Sequence, residues 1–575
     1  MDASEKLRAA GDELARHLIA AGVKPAHLRS AGRLSEHSGR SLAVALRELG
    51  LASSEQLARA LAQACGLAYV SFVELMSHDY STVAGLKVES PLTGLPLALE
   101  GNRLRIAIPE RDAQIAAPFM AYELEPCIAS TRALRHAYRR IFADTERIYR
   151  ELSAEARRAE SKQDGADHAL YPKLLVALLR HACYTGASDL QMQLLGEVGV
   201  IRLVVDGVGR SFDVLAASSV KKLYNVTLRS TGKNEDQLQK QIFGDASFAE
   251  AGLSDEVVRR EFDELSNEYD FRMNFGRAKS GITLTVRLLA RDAETQEFEQ
   301  LGFDAADQAT LLRALASNSG LIVVTGPTGS SKTTTRYAML SRIDPEERSV
   351  QTIENPVEYT HPLWMQYEIR GTEDEDVGTE KVFRGMLRNA PRVVDVAEVR
   401  SRETVATMMR AAATGHLVFT TLHADDAALA VHMLRILGVS DHDLATNLQI
   451  VIGVRLARRL CAHCRQPERR EDRLAQAAEL AKEAGEELAA RGLFAASDLG
   501  CAHCTGGYRG RFLLYELFEV KEKVADLLRA GADVRQVREM AIARGRSLRD
   551  RGWNALRDGR TTMDELARVL PRRRY

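Results

Sequence analysis

A glycine-rich loop that directly follows an apolar run is the feature that most limits how this chain can fold. The run covers residues 321–324, and the loop consists of Gly326, Pro327, Thr328, Gly329, Ser330, Ser331, Lys332, Thr333 and Thr334. A loop between a strand and a helix N-terminus presents free backbone N–H groups and a positive dipole end, which suit phosphate. We expect Lys332 to reach the β and γ phosphates and the Thr333 hydroxyl to take a Mg²⁺ position. The sequence therefore predicts a strand–loop–helix unit that binds a nucleotide with Mg²⁺.

Ser331 departs from the usual form of this loop, in which a glycine precedes the lysine. A Cβ at this position crowds the phosphates or strains the backbone. The serine nevertheless keeps its backbone N–H. The sequence therefore predicts phosphate binding that is weakened rather than lost.

Three polar motifs follow the loop, each where a strand is expected to end. They contain Glu354, Glu398 and His423, within the segments 352–358, 393–400 and 421–423. The carboxyl ends of the strands are where an open α/β sheet builds its site. Taken singly, a glutamate after a strand is usually solvated and a lone histidine is usually structural. Their order and spacing behind the loop favour one shared site.

Length and composition indicate a soluble protein of several domains. The 575 residues are 45% apolar and 27% charged, and the formal net charge is -1. At roughly 100–200 residues per domain, three to five units are expected. The neutral balance provides no global field that recruits nucleic acid or an acidic membrane. Without a signal-like start or an apolar run of about 20 residues, we expect a cytoplasmic protein that reaches the inner membrane only through partners.

Changes of pattern divide the chain into six regions. Strands and helices alternate after residue 291, which is typical of an α/β domain with a mainly parallel sheet. A segment dense in charge and alanine reads as a helical or flexible linker. The predicted regions are an N-terminal docking domain (1–142), a charged linker (143–168), a second N-terminal domain (169–290), the α/β core (291–455), a tetracysteine subdomain (456–515) and a helical C-terminal region (516–575).

Two C-x-x-C pairs about 40 residues apart indicate a metal site. Four thiolates at this spacing fit a tetrahedral structural Zn²⁺ with no open position for catalysis. Disulfides are the poorer explanation in a reducing cytosol. His463 and His503 lie inside the pairs, but four cysteines already complete a site. The predicted zinc ligands are Cys461, Cys464, Cys501 and Cys504.

The loop and the three motifs, in this order, resemble the secretion and type IV pilus ATPase family over nearly the whole chain. The resemblance implies a multidomain α/β protein with a RecA-like P-loop ATPase core, a PAS-like α+β domain before it and a zinc-bearing C-terminal subdomain. It implies that Glu398 polarises the attacking water or helps to hold Mg²⁺, and that Glu354 lies in an acidic box near the metal. His423 would then sense the γ-phosphate or contact a neighbouring subunit.

The resemblance also implies partners and a second source of positive charge. Arg272 and Arg287 match the segment from which the family supplies arginines to the phosphates of ATP. The implied function is a homo-hexameric motor that hydrolyses ATP to drive type IV pilus assembly or type II secretion. Its implied partners are an inner-membrane platform protein and a cytoplasmic docking protein. Cyclic di-GMP is not expected, because the segment 41–43 lacks the arginine and glycine of the family's dinucleotide motif.

Two alternatives to an active motor stay open at this point. Asn355, Ala397 and Ser401 stand where the family usually has Asp, Gly and Asp. Ser331, Asn355 and Ala397 motivate a nucleotide-binding ring or scaffold with weak turnover. A nucleic-acid translocase is disfavoured by the neutral charge and the missing basic-aromatic tract. The choice between pilus and secretion machinery is left open by the sequence.

Overall fold

The computed structural model describes residues 14–39, 41–83, 85–88, 90–109, 115–141, 144–161, 170–230, 243–247, 256–266, 268–279, 281–290, 297–369, 375–487, 493–501, 504–542 and 545–571. The chain divides into two compact units, Met1–Ala293 and Glu294–Tyr575. Among the described residues, no helix combines the length and the apolarity needed to cross a bilayer.

The first unit begins with short helices and a four-stranded sheet of order β1-β4-β3-β2. Ala58 and Ala62 of one helix pack on Ile108 and Ile128 of the sheet. The elements are α1 (Pro25–Ser38), α2 (Leu42–Glu48), α3 (Ser54–Cys65), β1 (Ala68–Tyr69), α4 (Phe72–Ser77), β2 (Leu95–Glu100), β3 (Arg103–Ile108), β4 (Glu123–Ile128) and α5 (Thr131–Ile141).

A six-stranded antiparallel sheet of order β7-β6-β5-β10-β9-β8 completes the first unit. The apolar helix α7 packs on this sheet and is buried along most of its length. The elements are α6 (Thr145–Ser161), α7 (Leu170–Tyr184), β5 (Ala187–Leu195), β6 (Val198–Val205), β7 (Val208–Ala216), α8 (Ala217–Arg229), β8 (Phe243–Ser247), α9 (Glu256–Ser266), β9 (Tyr269–Ala278) and β10 (Gly281–Ala290).

The segment predicted as a charged linker contains the packed helix α6. Tyr149 and Ala156 of this helix are buried in the core of the six-stranded sheet. The buried Asp213 of β7 accepts hydrogen bonds from the Tyr149 hydroxyl and from Ser153 Oγ, both at 2.9 Å. Arg157 of the same helix also pairs with Asp213, whereas Arg147 pairs with Glu151 on the exposed face.

The second unit is built on a seven-stranded sheet of order β13-β12-β14-β15-β11-β16-β19. All neighbouring strands are parallel except the last pair, in which β19 runs antiparallel to β16. The elements as far as the end of β16 are α10 (Ala305–Leu315), β11 (Gly320–Thr325), α11 (Lys332–Leu340), β12 (Val350–Glu354), β13 (Met365–Glu368), α12 (Glu375–Met386), β14 (Val393–Val396), α13 (Arg402–Ala413), β15 (Leu417–Leu422), α14 (Ala427–Ile436), α15 (Asp441–Asn447) and β16 (Leu448–Leu460).

The C-terminal elements form a separate small core at one end of β16 and β19. Trp553 and Leu566 are buried there against Ala457 and Phe512 of the two strands. The elements are β17 (Gln466–Pro467), α16 (Glu471–Glu483), β18 (Phe494–Ala495), β19 (Tyr508–Glu519), α17 (Glu522–Arg529), α18 (Val534–Ala541), α19 (Leu548–Arg557) and α20 (Met563–Val569).

Candidate nucleotide-binding site

The glycine-rich loop joins the central strand β11 to the N-terminus of α11. Gly326 leaves no space for a side chain, because an added Cβ would lie 2.5 Å from the carbonyl oxygen of Val454. Ser331 adopts the left-handed conformation, with φ 79° and ψ 23°. For a residue with a Cβ this conformation costs roughly 1–2 kcal/mol. The backbone strain expected at Ser331 is therefore present.

A threonine at the end of β11 holds the loop against the segment that carries His423. The Thr325 hydroxyl donates to the Leu422 carbonyl at 3.1 Å and accepts from the Ala424 N–H at 3.1 Å. Both partners flank His423, which directly follows β15. The third motif is thus fixed beside the loop by the neighbouring parallel strand.

Lys332 turns back onto its own loop. Its Nζ donates to the carbonyl oxygens of Gly326 at 2.9 Å and Pro327 at 3.0 Å, and lies 3.5 Å from Nδ1 of His423. Burial lowers the pKa of Lys332 to about 8, although the nearby Glu398 carboxylate opposes the shift. The phosphate-binding ammonium is thus partly desolvated.

His423 connects Lys332 to the glutamate of the second motif. Its Nε2 lies 3.2 Å from Oε1 of Glu398. A neutral imidazole that donates from Nε2 to Glu398 can accept from Lys332 at Nδ1, so one tautomer satisfies both contacts. Burial and then the charge of Lys332 lower the pKa of His423, which favours this neutral form.

Arg400 holds the Glu398 carboxylate through both oxygens. Its Nε and Nη2 donate to Oε1 and Oε2 at 2.9 and 3.0 Å. Burial raises the pKa of Glu398, but the hydrogen bonds and charge of Arg400 outweigh burial and keep the pKa below its usual value. The carboxylate is therefore ionised and fixed in direction.

The acidic box places its two glutamates differently. Glu354 is buried, and it accepts hydrogen bonds from Arg336 Nη2 at 2.9 Å and from the Tyr337 hydroxyl at 2.6 Å. Glu358 lies at the loop, where its Oε1 accepts from the Thr333 hydroxyl at 3.5 Å. The oxygens of Glu354 face donors in the core, and its role near the metal stays a prediction. Glu358 is the residue of the box that contacts the loop.

The two arginines from the resemblance lie in the first unit. Arg272 of β9 and Arg287 of β10 are directly opposite each other in the antiparallel register. Nε of Arg287 donates to Oδ1 of Asp189 at 3.1 Å. The structure thus brings the two guanidinium groups onto neighbouring strands, and their role toward ATP stays a prediction.

The four cysteines of the C-x-x-C pairs come together in the second unit. Their ligand atoms all lie within 4.8 Å of one another. The sulfur–sulfur distances are 3.8 Å for Cys461 and Cys501, 3.5 Å for Cys464 and Cys504, and 3.7 Å for Cys501 and Cys504. A tetrahedral ion with Zn–S bonds of ~2.3 Å separates its sulfurs by about 3.8 Å, whereas a disulfide requires ~2.05 Å. His463 is exposed, and His503 lies outside the described residues.

Several polar residues of the site carried no predicted role. Arg400 and Asp395 lie within the second motif, residues 393–400. Their closeness to Glu398 in the sequence is the signal that could have marked them. Arg455 of β16 is buried beside the loop, and it donates to the Val454 carbonyl at 3.0 Å and to the Asp425 carbonyl at 2.5 Å. No sequence pattern marks Arg455, because its partners belong to other strands and turns.

The fold and the site together define a P-loop ATPase. A glycine-rich loop between a central parallel strand and a helix meets a glutamate and a histidine from the ends of the adjacent strands. The chain belongs to the Type II/IV secretion system protein family, whose match covers residues 164–568. The family expected from the motifs is thereby confirmed.

Three relatives show how far the similarity extends. The Type II secretion system protein HxcR of Pseudomonas aeruginosa is 32% identical over 408 residues, which cover 71% of this chain and 78% of the relative. The Type IV pilus assembly ATPase PilB of Myxococcus xanthus is 27% identical over 559 residues, which cover 94% of this chain and 95% of the relative. PilB of Thermus thermophilus is also 27% identical, over 94% of this chain, but the chain spans only 60% of that relative's length.

Proposed function

We propose that this chain hydrolyses ATP to ADP and phosphate as a subunit of a homo-hexameric motor that drives type IV pilus assembly or type II secretion. The observation that carries the proposal is the chain of contacts from Lys332 through His423 to Glu398. A phosphate-binding ammonium and an ionised carboxylate joined by one neutral imidazole suit hydrolysis rather than storage of a nucleotide. The relatives include type IV pilus assembly ATPases and a type II secretion system protein, which supports these two machines as the alternatives.

ATP is proposed to bind with its phosphates on the backbone amides of the loop and the N-terminus of α11. The Ser330 hydroxyl supports a ligand here, because it is buried and has no hydrogen-bond partner among the described residues. The Thr333 hydroxyl and the Glu358 carboxylate are oxygen donors of the kind that Mg²⁺ prefers. When bound, Mg²⁺ neutralises charge on the phosphates, and these two side chains would hold it.

Glu398 is proposed to orient the attacking water and to take its proton. Arg400 fixes the carboxylate, while the N–H of His423 aligns one of its oxygens. Arg272 and Arg287 are proposed to add positive charge as negative charge spreads over the transferred phosphoryl group. Each subunit would supply these arginines from its second N-terminal domain.

The tetracysteine cluster is proposed to hold a structural Zn²⁺. The sulfur spacing fits a closed tetrahedral site, so the ion would fasten the outer ends of β16 and β19 rather than enter the reaction. We place the protein in the cytoplasm, peripheral to the inner membrane, with a platform protein and a cytoplasmic docking protein as partners. Nucleic acid and cyclic di-GMP are not expected as ligands.

A nucleotide-binding ring or scaffold with weak turnover is the second candidate, and the left-handed backbone at Ser331 favours it. Phosphate release from the purified chain, with and without Mg²⁺, separates the two. The motor proposal expects Mg²⁺-dependent release that Lys332→Ala abolishes. ATP binding by calorimetry without any release would favour the scaffold, and an inert wild type whose Ser331→Gly variant hydrolyses ATP would contradict the active motor.

A further inference from the structure

A buried arginine lies one helical turn beyond the phosphate-binding lysine. Arg336 of α11 is 2% exposed and follows Lys332 by four residues. Its Nη2 donates to Oε2 of Glu354 at 2.9 Å, and its Nε lies 3.2 Å from Oδ2 of Asp395. Both carboxylates are themselves buried. One guanidinium therefore spans two acidic groups that belong to two different strands.

The two carboxylates of this triad are supported unequally. Glu354 also accepts hydrogen bonds from Tyr337, from Thr352 at 2.7 Å and from Gln366 at 3.2 Å. Neither oxygen of Asp395 has a hydrogen-bond partner among the described residues. Asp395 therefore depends on the nearby charge of Arg336. Burial, opposed by that charge, raises the pKa of Asp395 to about 7.

The triad joins the elements that carry the reacting groups. Helix α11 begins with Lys332 and Thr333, β12 leads to Glu358 at the loop, and β14 leads to Glu398 three residues beyond Asp395. A shift of the helix N-terminus would change the distance between the phosphates and the base unless the strands moved with it. Catalytic geometry is sensitive to errors of about 1 Å.

We propose that Arg336 is a positioning residue that keeps the phosphate-binding end of α11 in register with the strands that carry Glu358 and Glu398. The proposal rests on the proposed ATPase function for its kinetic test. It needs the planar guanidinium rather than a point charge, because Nη2 donates to Glu354 while Nε keeps the delocalised charge 3.2 Å from Asp395. A lysine carries the same charge but is a point donor that serves one of them.

The variants Arg336→Lys and Asp395→Asn test this role without leaving two buried carboxylates unpaired. Arg342→Lys is the matched control, since Arg342 follows α11 and forms an exposed pair with Glu299. We expect Arg336→Lys to lower kcat at least about tenfold while KM for ATP stays within about twofold. The double variant should be no slower than Arg336→Lys alone, because both changes break one linkage. Arg342→Lys should match the wild type.

Hydrogen exchange provides a readout that needs binding but no turnover. Mg²⁺ and ATP should slow exchange at residues 332–334 and at 397–399 in the wild type. In Arg336→Lys only the first segment should respond. Three results would each overturn the proposal. The first is normal turnover in folded Arg336→Lys, and the second is a kcat loss in the double variant that multiplies the losses of the two single variants. The third is slowed exchange at both segments when Arg336→Lys binds Mg²⁺ and ATP. A wild type that binds ATP without hydrolysis contradicts the motor instead, and the exchange data then decide the role of Arg336. A wild type that fails to bind ATP contradicts both.

Discussion

Nε2 of His423 lies 3.2 Å from Oε1 of Glu398, so one imidazole joins the ends of two adjacent strands. The parallel register places these ends side by side, because β14 and β15 pair from Val393 with Leu417 to Val396 with Thr420. Each of the two motifs alone is a weak indicator of function, but the contact places both in one charged site. Lys332 is the third group of this site, and it comes from the loop after β11, the strand next to β15.

Removal of the imidazole should impair chemistry more than binding. His423→Ala deletes the group that aligns Glu398, while the backbone amides of the loop remain for the phosphates. We expect kcat to fall by about 10²–10³-fold with ATP affinity changed only a few-fold. Steady-state kinetics and calorimetry check this, with the exposed His432→Ala as the control. A variant that loses affinity and kcat equally would contradict the assigned role.

Lys332 should take up a proton when ATP binds at alkaline pH. Its pKa is lowered to about 8 by burial, so near pH 9 much of the free protein carries a neutral amine, and phosphate favours the charged form. Uptake should approach about one proton per site at pH 9 and vanish near pH 6, where the amine is already protonated. Calorimetry in buffers of different ionisation heat measures it. Lys332→Arg should bind without uptake, and a wild type that also shows none would contradict the prediction.

Ser331→Gly should relieve the strained backbone and strengthen ATP binding. Gly adopts the observed φ of 79° without a Cβ penalty, so the free energy of unfolding should rise by roughly 1 kcal/mol. Ala390→Gly is the control, because Ala390 is exposed, has φ 49° and lies away from the loop. Both variants should resist denaturant better, but only Ser331→Gly should improve ATP affinity. Equal effects of the two on affinity would contradict crowding at Ser331.

The tetracysteine cluster should retain one zinc ion per chain. Cys464→Ser combined with Cys504→Ser should abolish the metal and lower the thermal midpoint, because the cluster lies where β16 ends and β19 begins, and the Cys461 N–H donates to the Gly507 carbonyl there at 2.8 Å. Metal analysis by mass spectrometry and thermal unfolding check both effects. Cys65→Ser is the control, because Cys65 lies outside the cluster, and this variant should retain the zinc ion. A metal-free wild type of full stability would contradict the site.

Asp395 should make the fold less stable as pH rises through the acidic range. Its folded pKa of about 7 lies above the ordinary 3.8, so between these values the folded state holds a proton that the unfolded chain releases. The contribution to stability therefore falls from about pH 4 to about pH 7 and is constant above that. Asp395→Asn should gain stability relative to the wild type across this window in urea titrations. A parallel shift of stability at every pH for Asp395→Asn would contradict the prediction.

Sequence signals predict the structure correctly where they depend on neighbours in the chain. The dipeptide Asp206-Gly207, which is typical of a hairpin turn, lies between β6 and β7, with φ values of 52° and 74°. Ser53 and Gln56, at a spacing that is typical of a helix start, form the capping box of α3. The loop after the apolar run is likewise found between β11 and α11. Each of these features is set by backbone preferences within a few residues.

The sequence failed where a side chain's direction depends on distant partners. β12 is buried on both faces, so its pattern does not reveal that Glu354 points to Arg336, 18 residues away. Residues 145–161 are rich in charge, so their composition predicts a linker. It does not reveal the apolar side of α6 that packs on the six-stranded sheet. The pairing of Arg336 with Asp395 requires the order of the strands, which no local pattern contains.

The most direct test of the proposed role of Glu398 is a comparison of ATP binding and phosphate release for the wild type and Glu398→Gln. The amide keeps the size of the side chain but cannot take a proton from water. We expect Glu398→Gln to bind Mg²⁺ and ATP as tightly as the wild type and to release phosphate at least about 10²-fold more slowly. Equal phosphate release by the two proteins would contradict that role.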